Sequence, residues 1–385
     1  MAGAVTVLVG TTKGAFLLRS EDGREAWTLT GPHCDGWPIN HVIGDAATGR
    51  LWAAGGNDWY GAGVWRSIDG GETWALSLLS NGKMDAFLAA EPEMAAYMGR
   101  GPAPPAPFSG AVEAIWCLGL SGGVLYAGVK PASLYESRDG GESWAPVGAL
   151  NDHPSRGEWH PGGAGLVLHT IVADPCDAAK LWVGVSAAGV FATEDGGRSW
   201  ERRNRLSNEN HDHGHDHGHG HEGHQTGDCV HNVVRAAGAA DLMYQQNHHG
   251  VFRSPDGGRS WHPITAGLPS DFGFPIAVDP ADGQRVWTFP LKGDTQGRFP
   301  PGASAAVWRS EDGGDSWAAM TEGLPVKDCF FTVLRQAMAV DRATPTGVYF
   351  GTNSGSVFAS RDRGTRWEEI ARHLPTVLSV ETVTA

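Results

Sequence analysis

Short runs in which apolar and polar positions alternate recur along the whole chain: GVWRS, SLYES, GVFAT, GVFRS, AVWRS and SVFAS. Period-two alternation built from β-branched and aromatic residues predicts half-buried strands. The sequence on either side of these runs parses into units of four strands. The fifth unit reads FPIAVD, RVWTFPL, AVWRS and WAAMT. The two ends of the chain depart from the unit in complementary ways. TVLVGTTKGAFLLRSEDGREAWTLT supplies a second, third and fourth strand without a first, and LPTVLSVETV supplies a first with nothing after it. Joined, they complete one more unit and remove the free sheet edges that invite aggregation. The N-terminal apolar run is read as a strand and not a secretion leader, because no basic segment precedes it and Gly10 interrupts it.

Each alternating run leads into the string S/T-x-D-G-G-x-S/T-W. It stands at 67–74, 137–144, 193–200, 254–261 and 310–317, with degenerate copies at 20–27 and 360–367. In a tight turn the Asp accepts backbone N–H bonds, the Gly pair takes positive φ, and the following Trp lays its ring on the sheet. The repeated acids are therefore read as turn builders, not as paired catalytic carboxylates. Seven copies predict an all-β chain of seven four-stranded units forming one domain over residues 1–385.

The motif resembles the Asp-box (BNR) repeat of sialidases, xyloglucanases, sortilin-type receptors and photosystem assembly factors. That resemblance implies a single seven-bladed β-propeller, with each box turning between the third and fourth strands of a blade, and with the C-terminal strand joining the N-terminal blade. The stretches NHV, DHPSRGEWHPGGAGLVLH, CVHNVV, QQNHHG and SDFGFPIAVDP also resemble a bacterial group of single-domain propellers labelled sialidase-like or glycosyl-hydrolase-like. Because the box is structural throughout, the resemblance implies little chemistry. True sialidases need three arginines, a Tyr–Glu pair and an acid Asp. No arginine-isoleucine-proline motif precedes the first box here, and none of the six tyrosines has an evident Glu partner. Xyloglucanase-type enzymes use two propellers, for which 385 residues are too few.

On this parse the loops sort onto two faces. One face holds short turns (DAATGR, DPCDAAK, DPADGQ) and the boxes. The other, called upper here, holds the long segments 78–112, 150–168, 203–230, 270–274 and 325–335, together with GGNDWYGAG, QQNHHG and PLKGDTQGRFPPGAS. Long loops on one side of a rigid scaffold carry binding or chemistry, so the site is expected over the upper mouth of the central channel. EPEMAAYM is expected to form a short helix suited to a lid.

Counting back from the Leu or Val that opens each second strand places His169, Glu113, Phe274 and Gln336 at a twelve-residue offset; His231 and His41 fall at slightly shorter ones. Four consecutive blades thus put His41, Glu113, His169 and His231 at matching points of the inner strand, which otherwise alternates apolar residues. Three His and a carboxylate suit a divalent transition metal such as Zn, Fe or Mn. His248 is a further ligand or an outer partner, and Glu113, if it is not a ligand, is the general base. A metal-free polar pocket and a water-filled channel are the alternatives. Asn57, Asp58, Trp59, Lys130, Glu158, His160, Asp271 and Arg335 are candidate substrate contacts on the same face.

Composition narrows the partners. The net charge of −14 argues against nucleic acid and anionic membranes, and no apolar run approaches a membrane span. The five cysteines are scattered and include no CxxC, which suits a reducing cytoplasm. The tract HDHGHDHGHGHEGH at 211–224 is expected to be a mobile His-rich loop that holds metal ions loosely. The leading expectation is a metal-dependent enzyme acting on a small molecule. The alternatives are an interaction scaffold, and a glycan-processing propeller that exposes Trp37, Trp59 and Trp159.

Overall fold

The computed structural model describes residues 3–21, 23–206, 225–227, 229–238 and 241–384. The 211–224 tract lies outside the described residues. Seven four-stranded antiparallel sheets form a ring, with inner strands Ile39–Asp45, Ala114–Ser121, Val167–Ala173, Val230–Arg235, Gly273–Val278, Met338–Val340 and Val377–Thr384 for blades 1 to 7. In blades 1 to 6 the strands pair in chain order. In blade 7 the order is Val377–Thr384, Val5–Thr11, Gly14–Ser20, Thr28–His33. The N-terminal apolar run thus becomes the second strand of a blade whose first strand comes from the C-terminus, in register from Val5 opposite Thr384 to Gly10 opposite Ser379. Several outermost strands are only two residues long (Ala145–Pro146, Glu201–Arg202, His262–Pro263), which leaves little edge to pair with another chain. No described helix is long and apolar enough to cross a membrane.

The repeated turns share one hydrogen-bond pattern in six blades. At the second-blade copy, Ser137 Oγ donates to Asp139 Oδ1 at 2.7 Å and accepts from Gly141 N–H at 2.7 Å, while Asp139 accepts from Glu142 N–H and Ser143 N–H. The two glycines take φ of 77° and 96°, which no β-carbon tolerates easily. Where the sixth blade has Arg363 in place of the first glycine, the backbone still takes φ of 63°. The hydroxyl and amide bonds hold Asp139 far below the usual carboxylate range.

The turns also fasten neighbouring blades. The indole N–H groups of Trp52, Trp182 and Trp287 donate to the carbonyls of Gly140, Gly257 and Arg363 in the next blade's turn, at 2.8, 2.8 and 3.1 Å. Arg203 and Arg309 donate to the same Gly257 and Arg363 carbonyls, and Arg19 and Arg253 reach the equivalent carbonyls of Gly70 and Gly313 across two other blade boundaries. Asp139→Ala is therefore expected to cost roughly 1–2 kcal/mol, as loss of a capping acid does, and to leave every property of the opposite face intact. Chemical denaturation beside a metal assay checks this. A functional loss at unchanged stability would contradict a purely structural turn.

The insertion at 78–112 carries two helices, Lys83–Ala90 and Pro92–Tyr97. The second falls within EPEMAAYM, as expected, and the first precedes it. Met84 and Leu88 pack inward, whereas the second helix buries nothing.

Candidate functional site

The inner strands share an irregularity that decides which side chains meet. In blades 1 to 5 and in blade 7 the pairing with the second strand slips by one near the strand's upper end. The extra residues are Asn40, Trp116, His169, His231, one of the pair Phe274 and Pro275, and Leu378. A bulge re-aims the side chain it inserts, so these six are the true structural equivalents. His169 and His231 match, as expected. His41 does not: it follows the bulge, and Asn40 occupies the matching point. Glu113 does not either: it precedes the bulge by three residues. The reason is turn length. Blade 2 turns directly from Ser121 to Val124, whereas blade 3 spans Ala173 to Leu181, so a constant offset overshoots in blade 2.

The four expected ligands consequently separate. His41 faces a cavity of about 490 Å³ on the ring axis below the bulges, lined with Thr170, Asn232, Gln336 and Glu381. Its Nδ1 accepts from Leu118 N–H at 3.0 Å, and its Nε2 meets Glu381 at 3.3 Å. Glu113 is exposed and pairs with Lys130 at 3.3 Å, away from the other three. His169 is fully buried. Its Nε2–H donates to the Val230 carbonyl at 2.9 Å, and Nδ1 lies 2.8 Å from Thr170 Oγ. Burial, then Arg335 and His231, hold it neutral, well below the usual imidazole range. Both of its ring nitrogens are thus engaged within the fold. Above the axial cavity, Gln336 Nε2 bonds the His169 carbonyl from blade 6 across to blade 3, and Asn232 Nδ2 bonds the Arg335 carbonyl at 2.7 Å.

His231 and His248 do meet, together with Cys229, one of the five scattered cysteines. Donor atoms of Cys229, His231 and His248 all lie within 4.8 Å of one another at the upper mouth. Cys229 immediately precedes the inner strand of blade 4, and His248 sits in the hairpin between the next two strands. The His248 backbone N–H donates to the Cys229 carbonyl at 3.0 Å, tying the two together. His231 Nδ1–H donates to the Gly273 carbonyl at 2.6 Å, which leaves the Nε2 lone pair 3.7 Å from Cys229 Sγ. Burial, with Arg335 adding, pushes this imidazole down to about 3. It stays neutral and available as a donor at ordinary pH. The available signal for Cys229 was its C-x-H spacing to His231 at the mouth of a strand.

Aromatic and charged groups frame the cluster. The Phe274 ring lies 4.8 Å from His231, with the Arg335 and Arg298 guanidinium carbons 5.2 and 5.6 Å from its centre. Arg298 pairs with Asp294 at 2.6 Å. The Asp294 carboxyl is held below its usual range: Arg298, His248 and His231 outweigh the raising effect of its burial. The other expected substrate contacts are mostly engaged elsewhere. Asp58 pairs with Lys83 and Glu158 with Arg202. Asn57 caps its own turn by accepting from Trp59 and Tyr60 N–H groups. Trp59 is 43% exposed and lies against Phe87. His160 and Asp271 are exposed, the latter lending its carbonyl to Gln246.

Over 220 residues the chain is 24% identical to an oligoxyloglucan-reducing end-specific xyloglucanase of Emericella nidulans, which covers 51% of this chain and 26% of that enzyme. No family model matches the chain. Its structure is similar to the GH74 enzyme of Niastella koreensis (TM-score 0.56, 14% identity, 97% of this chain and 51% of that one). It is also similar to a candidate 6-phosphogluconolactonase of Bacteroides fragilis (TM-score 0.55, 12% identity, 99% and 98%). The chain thus spans about a quarter of the xyloglucanase and half of the Niastella enzyme. At these identities the structural likeness establishes the propeller fold.

Proposed function

We propose that the protein is a metal-dependent enzyme acting on a small molecule at the upper mouth, with Cys229, His231 and His248 holding one divalent ion. The convergence of these three donors carries the reading. Ligand atoms around a four-coordinate zinc-like ion sit roughly 3–4 Å apart, and the Cys229–His231 separation of 3.7 Å falls in that range. A thiolate with two imidazoles favours Zn or Fe over Mn. Three protein donors leave a position for substrate or water, the arrangement of catalytic rather than structural sites. The ion supplies Lewis acidity there. The Gly273 carbonyl fixes the tautomer and orientation of His231. Similarity to a xyloglucanase and to a candidate lactonase supports hydrolysis as the reaction class. Sugar stacking draws less support, because Trp37 and Trp159 are buried in the core.

The test is metal analysis of protein lacking residues 211–224 and purified without chelating resin. One tightly held equivalent is expected, lost in both Cys229→Ser and His231→Ala while the cooperative fold is kept. Protein without stoichiometric metal, or a His231→Ala variant that keeps it, rejects the reading. A scaffold role would then lead, on the strength of the exposed apolar side chains of Trp59, Phe87, Met94, Tyr97 and Met98, of which Tyr97 is 88% exposed.

A further inference from the structure

Most arginines drawn into this fold have an acid beside them. Arg24 pairs with Asp341, Arg203 with Glu194 and Glu201, Arg235 with Asp174, and Arg285 with Asp279. Arg335 departs from this rule. Its backbone is pinned by Asn232, and its guanidinium lies over the Phe274 ring. Among the described residues that guanidinium makes no hydrogen bond or ion pair, and its Nε is buried without a partner. Native structures rarely leave such a group unsatisfied, and each case requires an explanation. The nearest carboxylate, Asp294, is bound to Arg298. The other groups facing Arg335 are Cys229, His231, His169 and Arg298. A chain of net charge −14 has therefore gathered two arginines at the one mouth where its metal-capable donors converge.

We propose that Arg335 binds an anionic oxygen group, a carboxylate or a phosphate, of the molecule that enters the upper mouth. This rests on the reading of that mouth as the active site. A guanidinium stacked on an aromatic ring keeps its in-plane N–H donors for a bidentate acceptor. Phe274 lies beneath the Arg335 guanidinium, and Arg298 over the same ring supplies a second positive charge. A neutral or apolar ligand would leave the cation without a counter-charge, so the substrate class is a small acid or phosphate ester.

Calorimetric titration of the full-length protein in excess chelator, with inorganic phosphate and separately with malonate, tests the assignment. At least one anion is expected to bind. Arg335→Gln is expected to weaken it roughly tenfold or more, as loss of a charge-assisted bond does, and Arg335→Lys to weaken it less. The melting temperature of Arg335→Gln is expected to stay level or rise, because an uncompensated charge leaves the interior. Tighter binding of phosphate assigns a phosphate ester, and of malonate a carboxylate. The proposal is overturned if wild type binds neither anion, or if Arg335→Gln and Arg335→Lys bind both as wild type does. Binding that appears only when metal is restored also overturns it, because the ion then holds the anion while the metalloenzyme reading stands. Arg335-dependent binding in protein that never takes up metal supports this inference and rejects that reading.

Discussion

Deleting residues 376–385 is expected to unfold the entire ring and not only the blade that loses a strand. Val377–Thr384 is the inner strand of blade 7 and pairs along the whole of Val5–Thr11. Removing it leaves a row of backbone N–H and C=O groups without partners beside the channel. Val377 and Val380 are also fully buried in a cluster that spans blades 5, 6 and 7. Loss of each buried Val costs about 1.5–3 kcal/mol in burial alone. The Val380 N–H bond to the Gln336 carbonyl, which joins blades 6 and 7, disappears as well. Together these losses approach the 5–15 kcal/mol that hold an ordinary domain folded. Circular dichroism of the truncated chain should show no cooperative melt. A truncation that melts within a few degrees of wild type would mean that ring closure contributes little.

Trp261→Ala is expected to cost roughly 3–5 kcal/mol, the range for a large aromatic removed from a core. Trp261 has no exposed surface and packs with Trp182, Met243 and Phe252. Its indole N–H donates to the Arg203 carbonyl at 2.9 Å, and its backbone N–H to Arg205. Trp144, at the equivalent point of blade 2, is only part-buried, and its indole nitrogen has no partner. The repeat pattern predicts equal costs for these two tryptophans; the structure predicts a smaller one for Trp144→Ala. Urea denaturation of both variants decides, and a Trp144→Ala loss matching that of Trp261→Ala would refute the burial argument.

The contrast shows where sequence carries the structure and where it does not. The blades were legible because Ser137, Asp139, Gly140 and Gly141 act within one turn, and the same local chemistry recurs in six blades. Ring closure was legible because the end segments lack complementary strands. The site depends on two features that the strings do not display. One is the bulge, which puts Asn40 rather than His41 at the common level. The other is unequal turn length, which puts Trp116 rather than Glu113 there. Pairings between distant segments, such as Glu158 with Arg202, were equally invisible, and they engage Asp58, Lys130 and Glu158. The same local view missed Trp52, Trp182 and Trp287 as fasteners between blades, since each donates to a turn in the following unit.

The bonds from Gln336 to the His169 carbonyl and from Asn232 to the Arg335 carbonyl reach between non-neighbouring blades at a single level. They tie the ring across its diameter. A disturbance of blade 3 or blade 4 at this level therefore passes straight to blade 6, as through the spokes of a wheel, without travelling round the rim.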